Sequence, residues 1–143
     1  MQSTIHLEIL PQPDDITCGP TCLHAVYNYY DDQRNLMQVI DEVPKLADGV
    51  TLAELLGIHA LANGYDATLY TYDLKVFDPT WFPSSRNDLQ SKLRQQLRHK
   101  DGKKIRFASE AYLRFLGLGG NIMYEDLKPA LIRRLLKHDN PIL

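Results

Sequence analysis

Polar and apolar residues alternate over residues 4–10 (Thr4, Ile5, His6, Leu7, Glu8, Ile9), a period of two that predicts a half-buried strand with His6 and Glu8 facing solvent. The pattern then changes to a helical one. Thr17 is a capping residue, Gly19 and Pro20 fall in the first turn where a missing N–H partner costs least, and residues 21–30 contain no breaker. Cys18 is thereby placed at or next to the first helical residue. After an acidic break at Asp31-Asp32, residues 36–43 predict a short amphipathic helix halted by Pro44. Thr51-Leu52-Ala53-Glu54 reads as a capping box opening a third helix, with Leu52, Leu55, Leu56, His59 and Ala60 on its apolar face and Gly64 as its stop. Residues 65–72 alternate again, as a strand.

Two prolines and two bulky aromatics between Asp78 and Ser85 predict a packed loop anchored by Trp81. Leu89, Leu93 and Leu97 recur every four residues through a basic, polar helix that buries one stripe. A further helix is expected over residues 105–116, closed by the glycines at 117–120, and then a short strand over 121–124. Asp126 is expected to cap a last helix with Leu127, Leu131, Leu135 and Ile132 turned inward, and residues 140–143 read as the start of a strand. The order of elements is that of an α+β protein.

At 143 residues and 44% hydrophobic the chain is expected to form one domain, 1–143, with a buried core. A net charge of −2 gives no overall attraction to nucleic acid or anionic membrane. The local excess of Lys92, Arg94, Arg98, His99, Lys100, Lys103, Lys104 and Arg106 lacks aromatic interleaving and reads as a solvated helix and loop. Residues 1–6 carry no basic segment followed by a long apolar run, and no stretch reaches the length of a membrane span, so a cytoplasmic, soluble protein is expected. Cys18 and Cys22 are the two cysteines. Spaced four apart on one helix, their Cβ atoms point the same way along the axis, which disfavours a disulfide, and no spacing supplies two more metal ligands; no metal or other cofactor is expected.

The candidate chemistry lies in Gln12-Pro13-Asp14-Asp15-Ile16-Thr17-Cys18-Gly19-Pro20. A thiol at a helix start sits where the positive end of the dipole favours thiolate, and a glutamine amide on the preceding loop can donate to a developing oxyanion. Cys18 is the expected nucleophile and Gln12 the expected oxyanion donor. A base is harder to find. His24 lies about 240° around the helix from Cys18; His59 falls on an apolar helix face as a core residue, His6 and His99 read as solvated, and His138 in Lys137-His138-Asp139-Asn140-Pro141 reads as a helix end followed by a turn. Cys22 reads as a small buried residue, Tyr27, Tyr29 and Tyr30 as core, and Asp14 and Asp15 either as turn formers or as a contact for a cationic substrate.

Gln12, then Cys18-Gly19 six residues later, then Pro20-Thr21-Cys22-Leu23-His24-Ala25-Val26-Tyr27-Asn28-Tyr29-Tyr30 resembles the papain-like cysteine peptidases, most closely the bacteriocin-processing type that cleaves leader peptides after a double glycine. Gly49-Val50-Thr51-Leu52, Ala60 and Gly64-Tyr65-Asp66-Ala67 are similar to that family's second helix and the turn after it, and a fainter likeness covers residues 131–143. The resemblance implies the helical half of a papain-like fold, with the chain apparently truncated before the β-rich half that carries the catalytic His and Asp. It also implies a peptide or protein substrate, and no nucleic acid. The uncovered face near Cys18 and the apolar Ile142-Leu143 imply a second copy or a complementing β-rich segment as partner. Two alternatives share these residues: a non-catalytic peptide-binding or interaction module, either a pseudopeptidase or a fragment used only for association, and a papain-like acyltransferase that passes the acyl group to an amine or thiol.

Overall fold

Described over residues 5–143 in a computed structural model, the chain is an α+β protein made of two compact units. One comprises the segment up to Thr51 together with Leu127–Leu143; the other is Leu52–Asp126.

In the first unit, α1 (Cys18–Tyr29) packs against α2 (Leu36–Glu42), and α6 (Pro129–Lys137) belongs to the same body. Leu23 and Tyr27, one turn apart on α1, are buried, as are Val39, Ile40 and Val43 along α2. Asn35 caps α2 by accepting a hydrogen bond from the Gln38 N–H (3.2 Å). The helix ends where Val43, the residue before Pro44, takes an extended conformation. Three expectations are corrected here. Residues 5–10 form no strand, and Ile9 and Leu10 lie exposed; alternation supplies the propensity, but without a neighbouring strand the backbone has no ladder to join. Thr4, the start of that expected strand, lies outside the described residues. Asp126 does not cap α6, whose N-cap is Lys128: Pro129, with its preset φ, starts the helix two residues later than a cap at 126 would. That shift in phase leaves Leu127 76% exposed and Ile132 toward solvent, while Leu131 is buried. Residues 140–143 are likewise not in a strand.

The second unit is organised around two parallel strands, β1 (Thr68–Thr71) and β2 (Asn121–Tyr124), paired from Thr68 opposite Asn121 to Thr71 opposite Tyr124. Parallel pairing requires a long crossover, and here it contains α4 (Arg86–Leu97) and α5 (Lys103–Gly117). α3 (Ala53–Ala62) packs on α5 and β1, and α4 packs on α5 through the buried Leu89 and Leu93. Gly64, at φ +88°, turns the chain out of α3. The strand expected over 65–72 is confined to four residues because only those face β2. The loop before α4 is packed as expected, with a different anchor. Phe77 is 1% exposed and meets the rings of Trp81, Phe82 and Tyr112 edge-on, whereas Trp81 itself is half-buried.

The capping box expected at Thr51–Glu54 does not form. α3 begins one residue later than that box requires, its N-cap is Leu52, and the Glu54 carboxyl is buried, bonding its own N–H instead of that of Thr51. At the other end of the unit, Arg86 donates from Nε to the Gly120 carbonyl (3.0 Å) and from a terminal nitrogen to the Gly119 carbonyl (2.9 Å) and Asn121 Oδ1 (3.0 Å). These bonds hold the turn between α5 and β2. Arg86→Ala is expected to cost about 1–2 kcal/mol in urea denaturation; a change within about 0.5 kcal/mol would show that the clamp carries no weight.

Candidate active site

Cys18 is the first residue of α1 and its side chain is exposed. The helix starts there because Thr17 leaves the helical conformation (φ −106°, ψ 18°) while its carbonyl already accepts from the Thr21 N–H (3.1 Å). Thr21 Oγ1 donates to the same carbonyl at 2.7 Å, so the first turn is tied twice. Thr17 is the N-cap by position but its side chain does not cap, a correction to the expectation. Its hydroxyl points back and donates to the Asp14 carbonyl at 3.4 Å. Nor does the first turn hold an acidic residue. The helix mouth beside Cys18 therefore presents backbone N–H groups with no side-chain acceptor of its own, an arrangement that suits a bound anionic oxygen.

Gln12 lies on the exposed loop before α1 and donates from Nε2 to the Asp14 carbonyl at 2.6 Å. Asp14 also accepts the Ile16 N–H on Oδ1 at 3.0 Å, the turn-forming role proposed for it from its type. Asp14 is thus where the loop converges: Gln12 from one side, Ile16 and Thr17 from the other. Among the described residues no hydrogen bond joins the Gln12 amide to the Cys18 thiol. A primary amide has two N–H groups, however, and the bond to Asp14 uses one.

The histidines fall where their sequence contexts placed them. His24 is buried and its Nε2 lies 2.7 Å from the Arg34 carbonyl, in a corner where Arg34 also pairs with Asp32 (3.0 Å) and sits over the Tyr27 ring (4.8 Å). His59 is buried on α3 with Asn63 Nδ2 3.4 Å from its Nδ1, and His138 occupies the C-cap of α6. His6 and His99 are exposed. Cys22 is half-buried, and of the three tyrosines expected in the core Tyr27 alone is fully buried; Tyr30 is 48% exposed because it lies past the last turn of α1. Among the described residues no group of three or more His, Cys, Asp or Glu is placed to hold a metal ion, and no helix is long and apolar enough to cross a membrane.

One chemically unusual group escaped the sequence reading. Glu54 is 3% exposed, and burial pushes its carboxyl up to about 7. Its position one turn before the buried Ile58 was the available signal, since the two share a helix face, but the capping-box pattern drew the residue outward.

No family model, curated protein or solved structure matches this chain.

Proposed function

We propose that the chain is the nucleophile-bearing, helical part of a papain-like cysteine peptidase of the double-glycine leader type, acting on a peptide substrate. The observation that carries this reading is the exposed Cys18 thiol at the first position of an α1 whose N-terminus has no side-chain cap. Cys18 Sγ attacks the scissile carbonyl, and the Cys18 backbone N–H and the free N–H of Gln12 steady the oxyanion. Exposed Ile9, Leu10 and Ile16 flank the loop and offer apolar contact to an extended peptide. The base comes from a further segment bearing a His/Asp pair, because His24, the histidine nearest Cys18 in sequence, is committed to the Arg34 carbonyl.

Single-turnover reaction with p-nitrophenyl acetate tests the nucleophile without needing that segment. The thiolate displaces p-nitrophenolate and the acetyl group stays on sulfur, the thiol proton having passed to solvent. One equivalent of nitrophenolate and acetylation at Cys18 are expected, both lost in Cys18→Ser; acetyl spread over lysines, with release unaffected by that substitution, would overturn the reading. The same His24 bond favours a second reading, a peptide-binding module without catalysis. That protein would bind a peptide ending in Gly-Gly and give no release dependent on Cys18. An acyltransferase would instead hand the acetyl group to an added amine.

A further inference from the structure

In the second unit, α3, α5 and β1 meet around a chain of polar groups. The Asp73 N–H donates to Thr71 Oγ1 at 3.2 Å, the Thr71 hydroxyl donates to the Tyr112 oxygen, and the Tyr112 hydroxyl donates to the Glu54 carboxyl. Glu54 and Tyr112 are 3% and 7% exposed, so the chain ends in a carboxyl with almost no access to water. The charges acting on it are unhelpful. Tyr112 faces it from α5 and offers a neutral donor; Asp73, after β1, adds negative charge; His59, buried further along α3, lies about 140° around the helix from it. Among the described groups that act on Glu54 none is a cation. Its two donors, the Tyr112 hydroxyl and its own backbone N–H, are neutral and do not offset the loss of water, so a carboxylate buried here without a counter-charge is costlier than the neutral acid.

We propose that the packing of α3 on α5 and β1 is a proton-operated latch, closed while the Glu54 carboxyl is neutral and loosened when it ionises. The folded carboxyl titrates near 7 and the exposed one near its ordinary value, so the closed form binds the proton more tightly. Its stabilisation is complete below about pH 4, is lost as pH rises to about 7, and does not change further above that. Between pH 5.5 and 8 the opening equilibrium is expected to rise about 30-fold.

The experiment is amide hydrogen exchange of the full chain at pH 5.5 and 8, corrected for the intrinsic rate, read over α3 and α5. Wild type is expected to lose about 30-fold of its protection there, while Glu54→Gln, which keeps both His59 and the Tyr112 partner, holds its protection at both values. Protection independent of pH in wild type, or an equal loss in Glu54→Gln, would overturn the latch. Should Glu54→Gln not fold, carbon NMR titration of the wild-type Glu54 carboxyl decides: a midpoint near 7 supports the proposal and one near 4 overturns it. None of these readouts depends on Cys18, so peptidase chemistry and latch stand or fall separately.

Discussion

Phe115→Ala is expected to destabilise the second unit by about 3–5 kcal/mol, the largest effect of any core truncation in it. Phe115 is fully buried on α5, and its ring is enclosed by glycines from two other places in the unit. A Cβ placed on Gly57, in the middle of α3, would lie 2.5 Å from Phe115 Cε2, and one on Gly120, just before β2, would meet the opposite edge of the ring. The two glycines let α3 and the β2 turn close on the ring, so removing it leaves a cavity that neither backbone can collapse to fill. Gly57→Ala sharpens the test through its sign. In an ordinary helix interior that change gains about 1 kcal/mol; here the overlap with Phe115 is expected to reverse it into a loss. Pairing Gly57→Ala with Phe115→Leu is expected to recover part of that loss, a coupling that urea denaturation of the four proteins measures directly. A stabilising Gly57→Ala would contradict the packing described here.

Gln12→Ala is expected to slow acyl transfer to Cys18 by about 10²–10³-fold with the affinity for substrate little altered, because an oxyanion donor acts on the transition state and not on the bound ester. The Gln12 side chain makes its bond to the Asp14 carbonyl within its own exposed loop, and stability is expected to change by less than about 0.5 kcal/mol. The separation of rate from stability is what gives the substitution its value. A fall in rate matched by partial unfolding would assign Gln12 to loop structure instead.

Legibility in the sequence followed the source of each signal. Where a repeat of apolar residues decides the element, as with Leu89 and Leu93 in α4, the pattern and the structure agree. Pro44 ends α2 as read, because the restriction it places on Val43 is local. Cap signatures failed three times: at Thr51–Glu54 and Asp126 the helix starts elsewhere, and at Thr17 the helix starts as read but the side chain does not cap it. In each case a cap worth about 1 kcal/mol yielded to something else: the loop bond to Asp14, the inward turn of Glu54, and the preset backbone of Pro129. The strand expected from Thr4 failed for a different reason, since alternation says nothing about whether a partner strand exists. At the candidate site, the placement of Cys18 at the first turn was readable from Gly19, Pro20 and the unbroken run after them. The role of Asp14 as the point tying Gln12 to the helix start was not, because it depends on the fold of an exposed loop whose residues carry several equally good turn signals.

The claim on which the proposed function depends is that α1 makes Cys18 a better nucleophile than an ordinary thiol. Iodoacetamide labelling at pH 7, followed residue by residue by mass spectrometry, measures it. Cys18 is expected to react about 2–5-fold faster than N-acetylcysteine amide, the gain a helix N-terminus gives a negative charge, with the half-buried Cys22 well behind both. Reaction of Cys18 no faster than the free thiol, or slower than Cys22, would contradict it.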